Sequence, residues 1–234
     1  MIDFYFHGGP NPMKVALMLE ETGLDYRPIP TDIFKGDQHA PAFAALNPNE
    51  KVPVIVDDGT VVFDSNAILL YLAEKTGRFA HAPRGELLSW LMFVATGLGP
   101  YAGQAVHFHH YAPEKLPYPL ERYHKEAGRH LGILDARLAD RPFLLGDGYS
   151  IVDMAAWGWV NFVPAILPED GFSGLPSLQR WHERVSGRPA AIAANDLKAS
   201  IRLKTDIDAE TQQALFGRVF DGEIGPLKGR TKST

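Results

Sequence analysis

Asn11-Pro12 places a carboxamide at the start of a helical pattern, followed by a proline whose missing N–H costs nothing there. The side chain caps the helix, or the helix end, with its free amides and positive dipole, stabilises an anion such as a thiolate. The two are compatible, because the oxygen can cap while the NH2 points at a ligand. Asp64-Ser65 opens another helical pattern. One of the pair accepts first-turn amide protons, or the amides and the Ser65 hydroxyl grip a carboxylate while Asp64 meets an ammonium. An amino-acid-like zwitterion satisfies both roles. Val52-Pro53 lies in an apolar run that otherwise reads as a central strand, where proline removes a ladder hydrogen bond. Pro53 is then an edge or first-strand residue, or a cis proline that turns the Val52 backbone outward to pair with an extended ligand.

Other groups carry less chemistry. Ser150-Ile151-Val152-Asp153 has capping-box spacing with aspartate in place of glutamate, and reads as structural. His107-Phe108-His109-His110 lacks the ligand spacing of a metal site and reads as polar surface or site lining. The glycines of 97–103 do not follow a strand or fit a dinucleotide loop, so they mark a helix kink or a close helix crossing. Trp157, Trp159 and Phe162 read as core, as does Tyr5 in the first strand. None of the 234 residues is cysteine, which removes disulfides, thiolate nucleophiles and zinc–thiolate sites. Any thiol chemistry must use a thiol from outside the chain.

The elements that position these groups fall into two patterns. Residues 2–6 read as a buried strand, 12–22 as a helix stopped by Gly23, and 25–30 as a second strand. Residues 35–49 form a loop with one helical turn, and 52–56 and 61–63 flank the hairpin signal Asp57-Asp58-Gly59. A helix over 66–76 follows and ends at Gly77. The order βαβ then ββα predicts a mixed sheet covered by helices, the thioredoxin-like arrangement, over residues 1–79. From 86 to 204 the pattern is all-helical, with helices expected at 86–96, 119–138, 151–163 and 175–186. An extension over 205–234 holds a short helix candidate at 208–216, which covers the cleft, docks on a partner subunit or simply packs, and a polar end expected to be disordered.

Composition narrows the class. Twenty-three basic residues against 28 acidic ones give a formal charge of −5, the wrong sign for a nucleic-acid groove or an anionic membrane. The apolar stretches are far shorter than the roughly 20 residues of a membrane span. The first residues lack a basic leader, so a cytoplasmic location is expected.

Together these elements resemble a cytosolic glutathione transferase over residues 2–199, with an α/β thioredoxin-like domain followed by an all-α domain. The likeness is strongest to the bacterial nu-class branch of glutathione-dependent disulfide reductases. Its marks here are Pro10-Asn11, Lys35-Gly36-Asp37-Gln38, Asn49-Glu50-Lys51-Val52-Pro53, residues 97–104 with His107-Phe108, Glu121-Arg122-Tyr123 and Trp181-His182-Glu183-Arg184. The resemblance implies that Asn11 donates to the glutathione sulfur and that Gln38 and Lys51 hold the glycyl end. It also implies that Val52 pairs with the cysteinyl unit ahead of cis Pro53, that Asp64 and Ser65 take the γ-glutamyl head, and that Arg122 reaches in from the helical domain. It implies a homodimer with each site at the subunit interface, glutathione as substrate, and no metal. Tyr101, His107, Phe108 and Tyr111 are candidates for the second-substrate side.

One departure stands out. That branch commonly carries a threonine two residues before the asparagine, and this chain has Gly9. A charge-assisted hydrogen bond from Asn11 alone contributes about 1.5–3 kcal/mol, or one to two pKa units. That brings a thiol of about 8.5 towards 7. Three readings follow: a glutathione-dependent disulfide reductase, a conjugating transferase, and a glutathione-binding protein with little turnover.

Overall fold

The computed structural model describes residues 1–217. The expected disordered end of the extension lies outside them. Strand β1 (Ile2–Phe6) buries Ile2, Phe4 and Phe6 on one side. It runs parallel to β2 (Tyr26–Pro30), to which helix α1 (Pro10–Thr22) connects it. After a turn at Asp37–His39 and α2 (Pro41–Leu46), β3 (Val54–Asp57) and β4 (Thr60–Phe63) complete a four-stranded sheet of order β2-β1-β3-β4. β3 is antiparallel to both its neighbours. The Asp58-Gly59 turn that joins β3 to β4 has φ of 48° and 83°, the left-handed pair that matches strand twist in a two-residue hairpin. Pro53 stands one residue outside central β3, so no ladder bond is lost, and the Val52–Pro53 peptide is cis.

Helix α3 (Ser65–Thr76) follows and ends, like α1, on a left-handed glycine, Gly77. The helical region contains α4 (Arg84–Met92), α5 (Gly99–Val106), α6 (Pro117–Arg137), α7 (Ile151–Val160), α8 (Val163–Ile166), α9 (Pro176–Ser186), α10 (Pro189–Ser200) and α11 (Ala209–Gln212). Wide π-type turns at Phe93–Leu98, His107–Tyr111 and Gln213–Gly217 extend α4, α5 and α11. The helices expected at 86–96, 119–138, 151–163 and 175–186 therefore form with shifted ends. The sequence reading missed α5, whose glycines and Pro100 hide the helical pattern, and α10, whose alanines give weak periodicity.

Glycine determines how closely the helices approach. A Cβ at Gly158 of α7 would sit 2.5 Å from both Lys14 Cγ and the Pro10 carbonyl oxygen, so only glycine lets α7 lie this close to the start of α1. Gly97 does the same for the His130 ring, 2.6 Å from its would-be Cβ, which realises the expected close crossing. Trp157 is fully buried, Trp159 nearly so, and Phe162 half-buried.

The capping box at the head of α7 is present, and its aspartate does more than cap. Fully buried Asp153 accepts from Leu144 N–H (2.9 Å), Trp181 Nε1–H (2.9 Å), and Ser150 N–H (3.0 Å) and Oγ–H (2.9 Å). Burial pushes its pKa up while these four donors hold it down. Asp153→Ala orphans several buried donors, so it should cost about 3–5 kcal/mol of stability by urea unfolding. A loss under about 1 kcal/mol would contradict this account.

Candidate functional site

Helix α1 begins at Pro10, two residues earlier than expected, because Pro10 rather than Pro12 takes the first helical position. Gly9 occupies the cap position and no side chain caps the end. The expectation that Asn11 is the N-cap is therefore corrected: it is the second helical residue, with its side chain free for other work. Its Oδ1 accepts from the Ser65 hydroxyl (3.3 Å), the first residue of α3. At α3 the cap is Asp64, which accepts from Asn66 N–H (2.9 Å) and Ala67 N–H (3.2 Å). Two helix N-termini are thus joined through one side-chain bond, and both direct positive dipole ends to the same region.

Beside Asn11 opens a cavity of about 650 Å³. Its walls come from the β1–α1 loop (His7, Gly9, Pro10, Asn11), from Gln38 and His39, and from 48–52 ahead of β3. Of the residues expected at the site, Asn11, Gln38, Lys51 and Val52 line it. Ser65 is buried behind Asn11, Asp64 is exposed at the head of α3, and Pro53 is buried at the base of the loop. Arg122 is not brought to this wall. It pairs with Glu126 on its own helix (2.8 Å) and lies over the Tyr101 ring (5.9 Å). Tyr5 packs edge-on against Phe43 (5.5 Å).

Two features of the site escaped the sequence reading. The first is Lys14, fully buried in α1, whose Nζ donates to Ser65 Oγ (3.2 Å) and lies 5.9 Å from the centre of the Trp159 ring. Burial pushes its pKa down to about 7, against the pull of Asp64. A lysine amid Met13, Val15, Ala16 and Leu17 was the available signal. The second is His7, whose Nδ1 lacks a hydrogen-bond partner among the described residues. Burial lowers its pKa, Asp32 opposes that and Lys198 adds to it, so the ring is neutral at pH 7.

The 213–217 turn forms a further wall, which realises the cleft-covering alternative for the 208–216 segment. The Ala214 carbonyl oxygen lies 3.2 Å from Gln38 Nε2, which donates to it, and 2.8 Å from His39 Nε2, while Leu215 lines the cavity. Gln38 Oε1 has no partner among the described residues. Phe216 packs on His107 (4.7 Å between ring centres) and Tyr111 (5.7 Å), and these rings line a smaller cavity of about 190 Å³. Tyr101 stacks on His130 and Phe108 on Tyr123. His110 Nε2 lies 2.9 Å from the Ala165 carbonyl oxygen, and no cluster of three His, Asp or Glu among the described residues is placed to hold a metal.

A thioredoxin-like sheet with a polar helix start over a cleft, followed by a helical domain, defines a class, and the chain belongs to the glutathione S-transferase family. The family's N-terminal domain model matches residues 8–75 and its C-terminal domain model residues 117–184. The chain is 45% identical over 200 residues to the disulfide-bond oxidoreductase YfcG of Escherichia coli K12, covering 81% of this chain and 92% of that one. It is similar to a glutathione transferase family member from Pseudomonas fluorescens pf-5 solved with two glutathione bound (TM-score 0.79, 36% identity, 82% of this chain and 91% of that one). It is also similar to a Pseudomonas putida glutathione transferase solved with one glutathione disulfide per subunit (TM-score 0.77, 37% identity, 82% and 90%).

The backbone at Gly9 is ordinary, with φ −79° and ψ 173°, and the nearest atom to a Cβ there would be His7 Nδ1 at 3.6 Å. Glycine is therefore not required by the fold at this position. Gly9→Thr should raise stability by about 0.4–1 kcal/mol, chiefly by restricting the unfolded chain, and should raise the melting temperature. A lower melting temperature would show a constraint at Gly9 that this geometry lacks.

Proposed function

We propose that this protein is a glutathione-dependent disulfide reductase. The observation that carries the reading is Asn11 at the N-terminus of α1, on the wall of a cavity of about 650 Å³, in a chain with no cysteine of its own. The likeness to YfcG and to transferases solved with two glutathione molecules or their disulfide supports it. Asn11 has its oxygen engaged by Ser65, so its NH2 is the group left to donate to a bound sulfur. The free amides and dipole of α1 add to that stabilisation. Val52 pairs its backbone with the cysteinyl unit ahead of Pro53, Gln38 and Lys51 hold the glycyl end, and Asp64 and Ser65 take the γ-glutamyl head.

In the reaction, the bound glutathione thiolate attacks one sulfur of a disulfide, forming a mixed disulfide as the other sulfur leaves as thiolate. A second glutathione thiolate attacks the glutathione sulfur of that mixed disulfide. Glutathione disulfide forms, the substrate's second sulfur leaves, and the two glutathione protons end on the two product thiols. Both reducing equivalents come from glutathione, as a chain without cysteine requires.

We further infer a homodimer in the cytoplasm, with residues 1–79 as the glutathione-binding unit, 86–204 as the helical unit and 205–234 as an extension. Exposed Val61 and Phe63 of β4, beside Asp64, supply apolar surface for such an interface. No helix among the described residues is long and apolar enough to cross a membrane. Arg122 remains a candidate contact from the helical unit, once its pairing with Glu126 is exchanged.

The test is steady-state reduction of a small disulfide by glutathione, alongside conjugation of an aryl halide. The native protein should turn over the disulfide well above background. Asn11→Ala should lower kcat by about ten- to a hundredfold, the loss of one charge-assisted donor. Background turnover by a native protein that still binds glutathione would refute the reductase reading.

A further inference from the structure

Lys14 is costly where it lies. A cation buried in the seam between α1, α3 and α7 loses its hydration, which is why its pKa falls to about 7. Its stem runs against Gly158, where no side chain larger than hydrogen fits. Among the described residues, the hydrogen bond drawn from its ammonium goes to Ser65 Oγ, at 3.2 Å. Packing alone does not require a charge here, since a methionine would fill similar space without the desolvation.

The ammonium dictates the direction of the bonds beyond it. Lysine as a cation only donates, so Ser65 Oγ must accept from Nζ. The hydroxyl has a single proton, which then points to Asn11, 3.3 Å away. Asn11 must therefore present its oxygen to Ser65, and its NH2 is turned the other way. We propose that Lys14 is a positioning residue for the thiol chemistry: acting through Ser65, it locks the Asn11 carboxamide with its NH2 towards the reacting sulfur. This deepens the reductase reading and rests on it.

A neutral amine could accept from Ser65, and the order of donors would no longer be fixed. The groups facing Lys14 bear on this. Asp64, at the head of α3, favours the charged form; α7 contributes Trp159 and Gly158, which carry no charge; Lys198 of α10 lies against Gly8 and His7 instead. A γ-glutamyl carboxylate bound at the Ser65 backbone N–H, which leaves the hydroxyl proton with Asn11, adds a second negative group close by. Glutathione itself thereby keeps Lys14 protonated and the carboxamide correctly turned.

The experiment compares the native protein, Lys14→Met, Asn11→Ala and the double variant. It measures thermal melting, kcat and KM for disulfide reduction, and the titration of the bound glutathione thiol by its thiolate absorbance. Lys14→Met should melt no lower than native. Its kcat should fall about tenfold at pH 7 while its thiol titrates at higher pH, so that part of the loss is recovered in alkaline buffer. The double variant should be no worse than Asn11→Ala beyond about twofold, because both changes remove one donor. Native kcat and thiol titration in Lys14→Met, or losses that multiply, would overturn the proposal. A Lys14→Met protein that melts well below native would assign the residue to structure instead. If Asn11→Ala alone loses nothing, the donor role of Asn11 fails, and with it the reading beneath this one.

Discussion

The contact between α1 and α7 at Gly158 is the constraint on which the site depends. Because α7 lies against the Pro10 carbonyl and the Lys14 stem, the first turn of α1 is held from behind by the helical region. That grip is reinforced by Arg188, which donates to Glu21 at the other end of α1 (2.9 Å for one of its bonds) and stacks over Tyr149 (4.0 Å). The N-terminus of α1 is thereby held at the cavity, and in the proposed reaction a preorganised donor there costs no rearrangement when charge forms on a sulfur. Among the described residues, none from 86–204 lines the cavity beside Asn11, so that region bears on the site through packing.

The polar chain from Lys14 through Ser65 to Asn11 joins that packing to the proposed thiol chemistry. It crosses from α1 to α3 and back, so the two helix starts move as one unit. Such a network is stabilising only when each member is satisfied, and here the Ser65 oxygen accepts from Lys14 Nζ while its one proton goes to Asn11 Oδ1. The stability it sacrifices by burying a cation is offset elsewhere, above all at Asp153, where four donors surround one carboxylate and tie α7 to α9 through Trp181.

Much of this was legible in the sequence. The strand and helix order of the first 80 residues follows from period-two and helical patterns broken by Gly23, Asp58-Gly59 and Gly77, since local turn chemistry sets those boundaries. The capping box at Ser150 was equally plain. Asn11, Gln38, Lys51 and Val52 were marked in sequence and share one cavity. What stayed hidden depends on contacts between distant segments. A single lysine in an apolar run looks like an interruption until α7 covers it, and the glycines of 97–103 read only as a kink or crossing until His130 is seen against Gly97 and Trp159 against Gly99 of α5. The 213–217 turn joins the site only because Ala214 meets Gln38 and His39, about 175 residues away in the chain. Arg122 illustrates the opposite limit: its neighbour Glu126 claims it within its own helix.

The central claim is that Asn11 meets the sulfur with its NH2 because Ser65 holds its oxygen. A high-resolution crystal structure of the protein with glutathione tests it most directly. The account predicts the glutathione sulfur within hydrogen-bonding distance of Asn11 Nδ2, with Ser65 Oγ still between Lys14 Nζ and Asn11 Oδ1. A sulfur turned away from Asn11, or a Ser65 hydroxyl released from both neighbours while glutathione is bound, would contradict it.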